Sequence, residues 1–198
     1  MLNTFSRFIT IQEVVGMSII KPTQEYYLLN SERLSFTPLT NKHISLWEIF
    51  FHNNQTEQFL GFKGSTKTAL QKAEFWIERQ IDREKNNEFG QLAFIEKESG
   101  QFIGLGGIIP REIEGKQEYE VSYSLLREAW GKGFGKEAAT FFRDYMFNER
   151  NCDSVISIIH IENQASINVA EKNGMQISLE TTFMDMPVFV YRAFPNKL

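Results

Sequence analysis

The chain has 198 residues, a formal net charge of −4 and 42% apolar residues, enough for one globular domain with its own core. The acidic balance argues against a general nucleic-acid binder, which carries a basic stripe, and no apolar run approaches the roughly 18–20 residues that span a bilayer. A single cysteine, Cys152, rules out an intramolecular disulfide and fits a reducing compartment, so a cytoplasmic protein with neither nucleic acid nor membrane as partner is expected.

The first twenty residues mix polar and apolar types and lack the basic start, continuous apolar stretch and small-residue cleavage site of a signal peptide. Residues 1–27 read as an extension, with Met17 as an alternative start, and 28–198 as a single domain without linker or repeat. Residues 34–37 form a first strand, stopped by Pro38. Thr40 or Asn41 caps a helix carrying Ile44, Trp47 and Phe51. A second helix covers about 66–86, with Ala69, Ala73, Trp76, Ile77 and Ile81 on one face. Residues 91–96 and 101–109 are strands around the turn Glu98-Ser99-Gly100, Pro110 ends the second of them, and 111–116 is a charged turn. Residues 118–126 then alternate, Val121, Tyr123 and Leu125 on one face and Glu120, Ser122 and Ser124 on the other.

Next comes Trp130-Gly131-Lys132-Gly133-Phe134-Gly135-Lys136, a glycine loop opening a helix whose Phe134, Ala138, Phe141, Phe142 and Tyr145 share a face. Residues 154–160 form a short, almost wholly apolar strand, and a helix at about 164–173 ends at Asn173-Gly174. Strands at 175–179 and 188–194 close the sheet. The order β-α-α-β-β-β-α-β-α-β-β gives an α+β fold, a mixed sheet with helices on both faces.

The glycine loop is the chemical signal. Glycines let backbone approach a ligand closely, and the helix behind them aims free N–H groups at the same spot. The spacing is not a dinucleotide fingerprint, because G-x-G-x-x-G would need glycine where Lys136 stands. It is not a P-loop either, since Gly135-Lys136 is followed by Glu137 and position 130 is Trp. On the loop alone, a turn serving only a strand–helix junction weighs as much as an anion cradle.

Residues 130–135 resemble the phosphate loop of the GNAT superfamily of acyl-CoA-dependent N-acetyltransferases, R/Q-x-x-G-x-G/A, except at Trp130. W-G-K-G-F-G-x-E-A is similar to the branch that acetylates ribosomal-protein N-termini, the RimJ/RimL type. Three further stretches resemble that branch in order: Leu29 to Leu34 with Pro38-Leu39-Thr40, then Phe102 to Gly107, then Asn163-Gln164-Ala165-Ser166 with Glu171 to Met175. Together they span about 29–194. The resemblance implies a GNAT fold: a mixed, mostly antiparallel sheet of about seven strands whose fourth and fifth splay apart to form a cofactor cleft.

It also implies a chemistry. Acetyl-CoA is the expected donor and co-substrate, an amine the acceptor, and no metal is required. The donor's pyrophosphate would lie on the backbone of Lys132, Gly133, Phe134, Gly135 and Lys136. A β-bulge at Leu125-Leu126, where two apolar residues break the alternation, would splay the strand, and their backbone would bind the pantetheine amides. An amine of ordinary pKa is mostly protonated at neutral pH, so a base is needed; Glu120 is the candidate, with Glu118 as fallback. The tyrosine that many GNAT enzymes use as acid is replaced by Ala170, and the branch implies Ser166 instead, beside the cofactor. Asn163 would cap its helix and contact pantetheine. Ala170, and Ser122 where glycine is usual, leave a catalytically silent acyl-CoA-binding module as an alternative, and a different acyl group such as succinyl as another. Trp47, Phe50, Phe51, Phe59 and Phe62 are expected to divide between core and acceptor pocket. His43, His52 and His160 are too scattered for a ligand set, and Cys152 reads as packing. The acceptor stays open between a protein N-terminus and a small amine, and the oligomeric state is open too, a homodimer included.

Overall fold

Each segment with an apolar face settles against a neighbour. In the computed structural model, which describes residues 19–53, 55–62 and 64–195, the chain runs β1 (Leu34–Thr37), α1 (Ile44–Asn53), α2 (Ala69–Lys85), β2 (Gln91–Glu96), β3 (Phe102–Ile113), β4 (Lys116–Leu125), α3 (Phe134–Asn148), β5 (Val155–His160), α4 (Gln164–Lys172), β6 (Gln176–Phe183) and β7 (Met186–Ala193). The seven strands form one sheet in the order β1-β2-β3-β4-β5-β7-β6. All pairings are antiparallel except β4 with β5. Among the described residues no helix is long and apolar enough to cross a membrane. The expected start at Met17 lies outside the described residues.

The sheet buries both faces. On one, α1 and α2 pack Trp47, Phe50, Phe51, Ala73 and Ile77 against Ala93 and Leu105. On the other, α3 and α4 bring Phe134, Ala138, Phe142, Ile167 and Ala170 onto Phe36, Phe94, Val121 and Ile159. Phe142 is the hub of that side, its ring centroid 4.8 Å from Phe36 and 6.1 Å from Phe94. Burial at this density is what stabilises helices too short to persist alone. Local signals set the ends: Thr68 and Gln71 make a reciprocal capping box at the start of α2, three residues later than expected.

Four expectations need correction. Pro110 does not end β3, which continues to Ile113. Pro110 pairs with Tyr119 of β4, and β2 reaches only as far as Gly107, so beyond that point β3 is an edge. The Leu126 N–H bonds Ile103 and not β5, so by antiparallel alternation the nitrogen of Pro110 points to that open side. The charged segment 111–116 is accordingly two strand ends around Glu114-Gly115, whose φ values of 50° and 74° make a tight hairpin turn. Strand β6 extends to Phe183 through polar residues, because it is a solvated edge and needs no apolar run.

The fourth correction concerns the bulge. The β3–β4 register is unbroken through Gly104↔Leu125, and the shifts lie instead at Phe94/Ile95 and Ile177/Leu179. Leu125 and Leu126 follow one another because each serves a different core: Leu125 joins the α3/α4 side and Leu126 packs on the α1/α2 side.

The core also begins ahead of residue 28. Tyr26, in the short helix Gln24–Leu28, is fully buried, and its hydroxyl donates to Gly90 O at 2.5 Å and accepts from Ile108 N at 3.0 Å. It bridges β2 and β3 where their ladder ends. Tyr26→Phe should therefore strip partners from two buried backbone groups and lower unfolding free energy by about 2–6 kcal/mol in urea titration, at about 1–3 kcal/mol for each group left unsatisfied.

Candidate active site

The parallel strands β4 and β5 meet in register at one pair, Glu120↔Ile156. Just beyond it Ser157 Oγ donates to Val121 O at 2.8 Å, and after that the strands part. Alternation along β4 turns the backbone groups of Val121, Tyr123 and Leu125 away from β3 and toward the split. A cavity of about 650 Å³ fills this gap and runs from the glycine loop past Ser166 to Glu120 and on to Phe59, Trp76 and Phe183. That size suits a small-molecule ligand.

The glycine loop forms one end. Gly131 and Gly133 have φ of 73° and 83°, a left-handed backbone that disfavours side chains. Gly133 is the N-cap of α3, so no side chain caps that helix. By contrast, α2 starts on Thr68 and α4 on Asn163, which accepts from Ser166 N at 3.2 Å. The first N–H groups of α3 therefore have no side-chain cap among the described residues, and with the helix dipole they suit an anion. Gly135 is glycine for another reason: a Cβ there would lie 2.9 Å from the Tyr123 ring.

The loop is braced from the residues just ahead of β1. Arg33 Nε donates to Glu137 Oε2 at 2.7 Å, its Nη1 donates to Lys132 O at 2.9 Å, and its guanidinium lies 4.5 Å from the Phe134 ring centroid. Glu137 Oε1 also accepts from Ser31 Oγ at 2.6 Å and from Arg33 N at 2.7 Å, and these contacts hold its carboxyl below the ordinary range although burial opposes them. Trp130 closes the cavity's edge and donates its indole N–H to Leu125 O at 2.9 Å, a carbonyl that the split leaves without a strand partner.

At the other end Glu120 is 6% exposed. Its Oε2 accepts from Arg111 Nε at 2.6 Å, while Oε1 has no protein partner among the described residues. Beside it Trp76 Nε1 donates to Gln91 Oε1 at 2.7 Å, and Gln91 Nε2 donates to Ser122 Oγ at 2.9 Å. Glu118, the fallback base, is gripped by Arg192 through both oxygens at 2.7 and 2.8 Å and lies outside the cavity lining. Midway, burial pushes the Tyr123 phenol up to about 12, opposed by the neighbouring Ser166 hydroxyl.

The cavity thus gathers Glu120, Leu125, Gly133, Phe134, Gly135, Lys136, Asn163 and Ser166. It does not gather Leu126, whose N–H is bound to Ile103 O, or Lys132, whose carbonyl is held by Arg33. Beyond Val121, whose carbonyl Ser157 takes, Tyr123 and Leu125 face the split with their backbone, a consequence of period-two alternation that reading adjacent leucines as a bulge obscured. Of the five early aromatics only Phe59 lines the cavity; Trp47, Phe50 and Phe51 are core. Arg111, Trp76, Gln91 and Phe183 had no local signal. His160 lines the cavity as well, its ring 4.8 Å from Phe59 and its Nδ1 accepting from Glu162 N at 3.1 Å. Cys152 is buried away from it, and burial pushes its thiol up.

Residues 33–176 match the family described as Acetyltransferase (GNAT) domain. The chain belongs to the GNAT acetyltransferase family. It is 36% identical to the protein YkkB of Bacillus subtilis (strain 168) over 116 residues, 59% of this chain and 67% of that one. It is 28% identical to the N-acetyltransferase p20 of Bacillus licheniformis over 109 residues, 55% of this chain and 61% of p20. The GNAT fold is shared with an acetyltransferase from Agrobacterium tumefaciens str. C58 at 24% identity and a TM-score of 0.68, covering 83% of this chain and 92% of that one. It is also shared with RimL, a ribosomal L7/L12 α-N-protein acetyltransferase solved in complex with coenzyme A, at 13% identity and a TM-score of 0.67, covering 84% and 97%.

In this GNAT domain Arg33 holds the loop without lining the cavity. Arg33→Ala should leave the fold intact by circular dichroism and speed amide hydrogen exchange over the first turn of α3 roughly tenfold, the equivalent of about 1.4 kcal/mol for a partly exposed charge-assisted contact.

Proposed function

We propose that the protein is an acetyl-CoA-dependent N-acetyltransferase acting on a primary amine by direct transfer. One observation carries the reading: a single cavity joins an uncapped helix start to a buried carboxylate through a split between parallel strands. The sequence similarity to the RimJ/RimL branch, and the coenzyme A bound by RimL, support the choice of donor.

Acetyl-CoA, when bound, supplies a thioester whose carbonyl carbon can accept a nucleophile. The protein's own groups do the rest. Backbone N–H groups at 133–136 receive the pyrophosphate, and Lys136 adds positive charge at the same end. The backbone of Tyr123 and Leu125 offers the split-facing groups for pantetheine amides. Glu120 Oε1 takes a proton from the ammonium, directly or through water, which frees the amine lone pair. Forming the amide bond breaks the C–S bond; the attacking nitrogen sheds its second proton and the departing sulfur takes one up on the Ser166 side of the cavity, where the Tyr123 phenol stays neutral at physiological pH, so the net proton released is the one on Glu120. Asn163 fixes Ser166 by capping α4. The lone buried Cys152 suits a cytoplasmic setting.

A thiol-release assay with acetyl-CoA and a mixed panel of amines tests this. Turnover is expected, and Glu120→Gln should cut kcat by about 10²-fold or more while coenzyme A affinity stays unchanged. Absence of any acetyl-CoA or coenzyme A binding in calorimetry would contradict the reading.

A further inference from the structure

The acceptor half of the cavity holds an arginine that catalysis of acetyl transfer does not require. Arg111 uses its Nε on Glu120 at 2.6 Å, and its guanidinium sits 5.1 Å from the Phe183 ring centroid, which fixes the plane. Its two terminal nitrogens donate to no protein acceptor among the described residues, and the side chain lines the cavity. A guanidinium fork with open N–H groups recognises carboxylates. Beside it, Glu120 Oε1 is equally open and recognises an ammonium. Two opposite charges in direct contact match an ammonium and a carboxylate carried on one carbon.

The walls restrict the rest of the molecule. Phe59, Trp76, Phe183 and Met184 make the surroundings apolar and aromatic. Met184, at the tip of the β6–β7 hairpin, is packed so closely on Gly61 that a Cβ there would lie 2.6 Å from its Cε. This contact ties the hairpin to the Phe59–Leu60 wall. A peptide N-terminus would leave the Arg111 fork unpaired.

We propose that the acceptor is a free α-amino acid with an apolar or aromatic side chain, its amino group on Glu120 and its carboxylate on Arg111. This rests on the acetyltransferase reading above, and it makes Arg111 a specificity-determining residue. The substrate would divide the ion pair's charges between its own two groups, so binding costs neither partner its counter-charge.

The test compares L-phenylalanine, L-leucine and L-methionine with their amides, with phenethylamine and with a short peptide, all with acetyl-CoA and wild-type protein. At least one amino acid should exceed its own amide and amine by about 100-fold in kcat/KM, since a site built for a group rejects the analogue lacking it. Arg111→Gln should erase that preference mainly through KM, and Arg111→Lys should restore part of it. Amides, amines or peptide turned over as well as the amino acids would overturn the inference and leave acetyl transfer standing. Turnover of none of them would overturn it as well, and calorimetry with coenzyme A would then show whether the donor assignment fails too.

Discussion

One register pair between two parallel strands, Glu120↔Ile156, governs the rest of the site. It keeps β4 in the sheet at its start and lets its end diverge from β5. Divergence leaves backbone groups facing open space, and unpaired backbone in a protein interior needs partners. The fold supplies two from side chains, Ser157 to Val121 O and Trp130 to Leu125 O. Ligand amides are natural partners for the others. The proposed base, Glu120, sits at the fork itself, so the position of the carboxylate and the opening of the cleft follow from the same pairing.

The cradle at the other end shows how one short loop answers several demands. Gly131 and Gly133 supply left-handed backbone, while Gly135 makes room for Tyr123. Starting α3 on glycine costs helix stability of roughly a few tenths of a kcal/mol by comparison with a side-chain-capped start. Arg33, just ahead of β1, offsets this by tying Lys132 O and Glu137 together. The loop is therefore rigid without a side-chain cap, which keeps its N–H groups available to an anion.

Much of this was legible in the sequence, for physical reasons. The element order, the loop and its role at a strand–helix junction are local, and periodicity or glycine spacing reports them. Glu120, Ser166 and Asn163 were reachable through the family resemblance and do line one cavity. What stayed hidden depends on pairing across the sheet. Gln91 reaches Ser122 only because β3 sets both strands in register. Arg111 looked like part of a charged turn because Pro110 hid the edge on which β3 continues. Met184 meets Gly61 across more than a hundred residues of sequence. Tyr123 shows a different limit: its place on one face with Val121 and Leu125 was legible, yet the direction of its backbone groups follows only once the β3 ladder is known.

Amide hydrogen exchange of the full chain, with and without coenzyme A, tests most directly the claim that the uncapped loop and the split together hold the donor. Exchange should slow at Gly133–Lys136 and at Tyr123 and Leu125, with little change in the α1/α2 core. Saturating coenzyme A that leaves exchange at 133–136 unchanged would contradict the account.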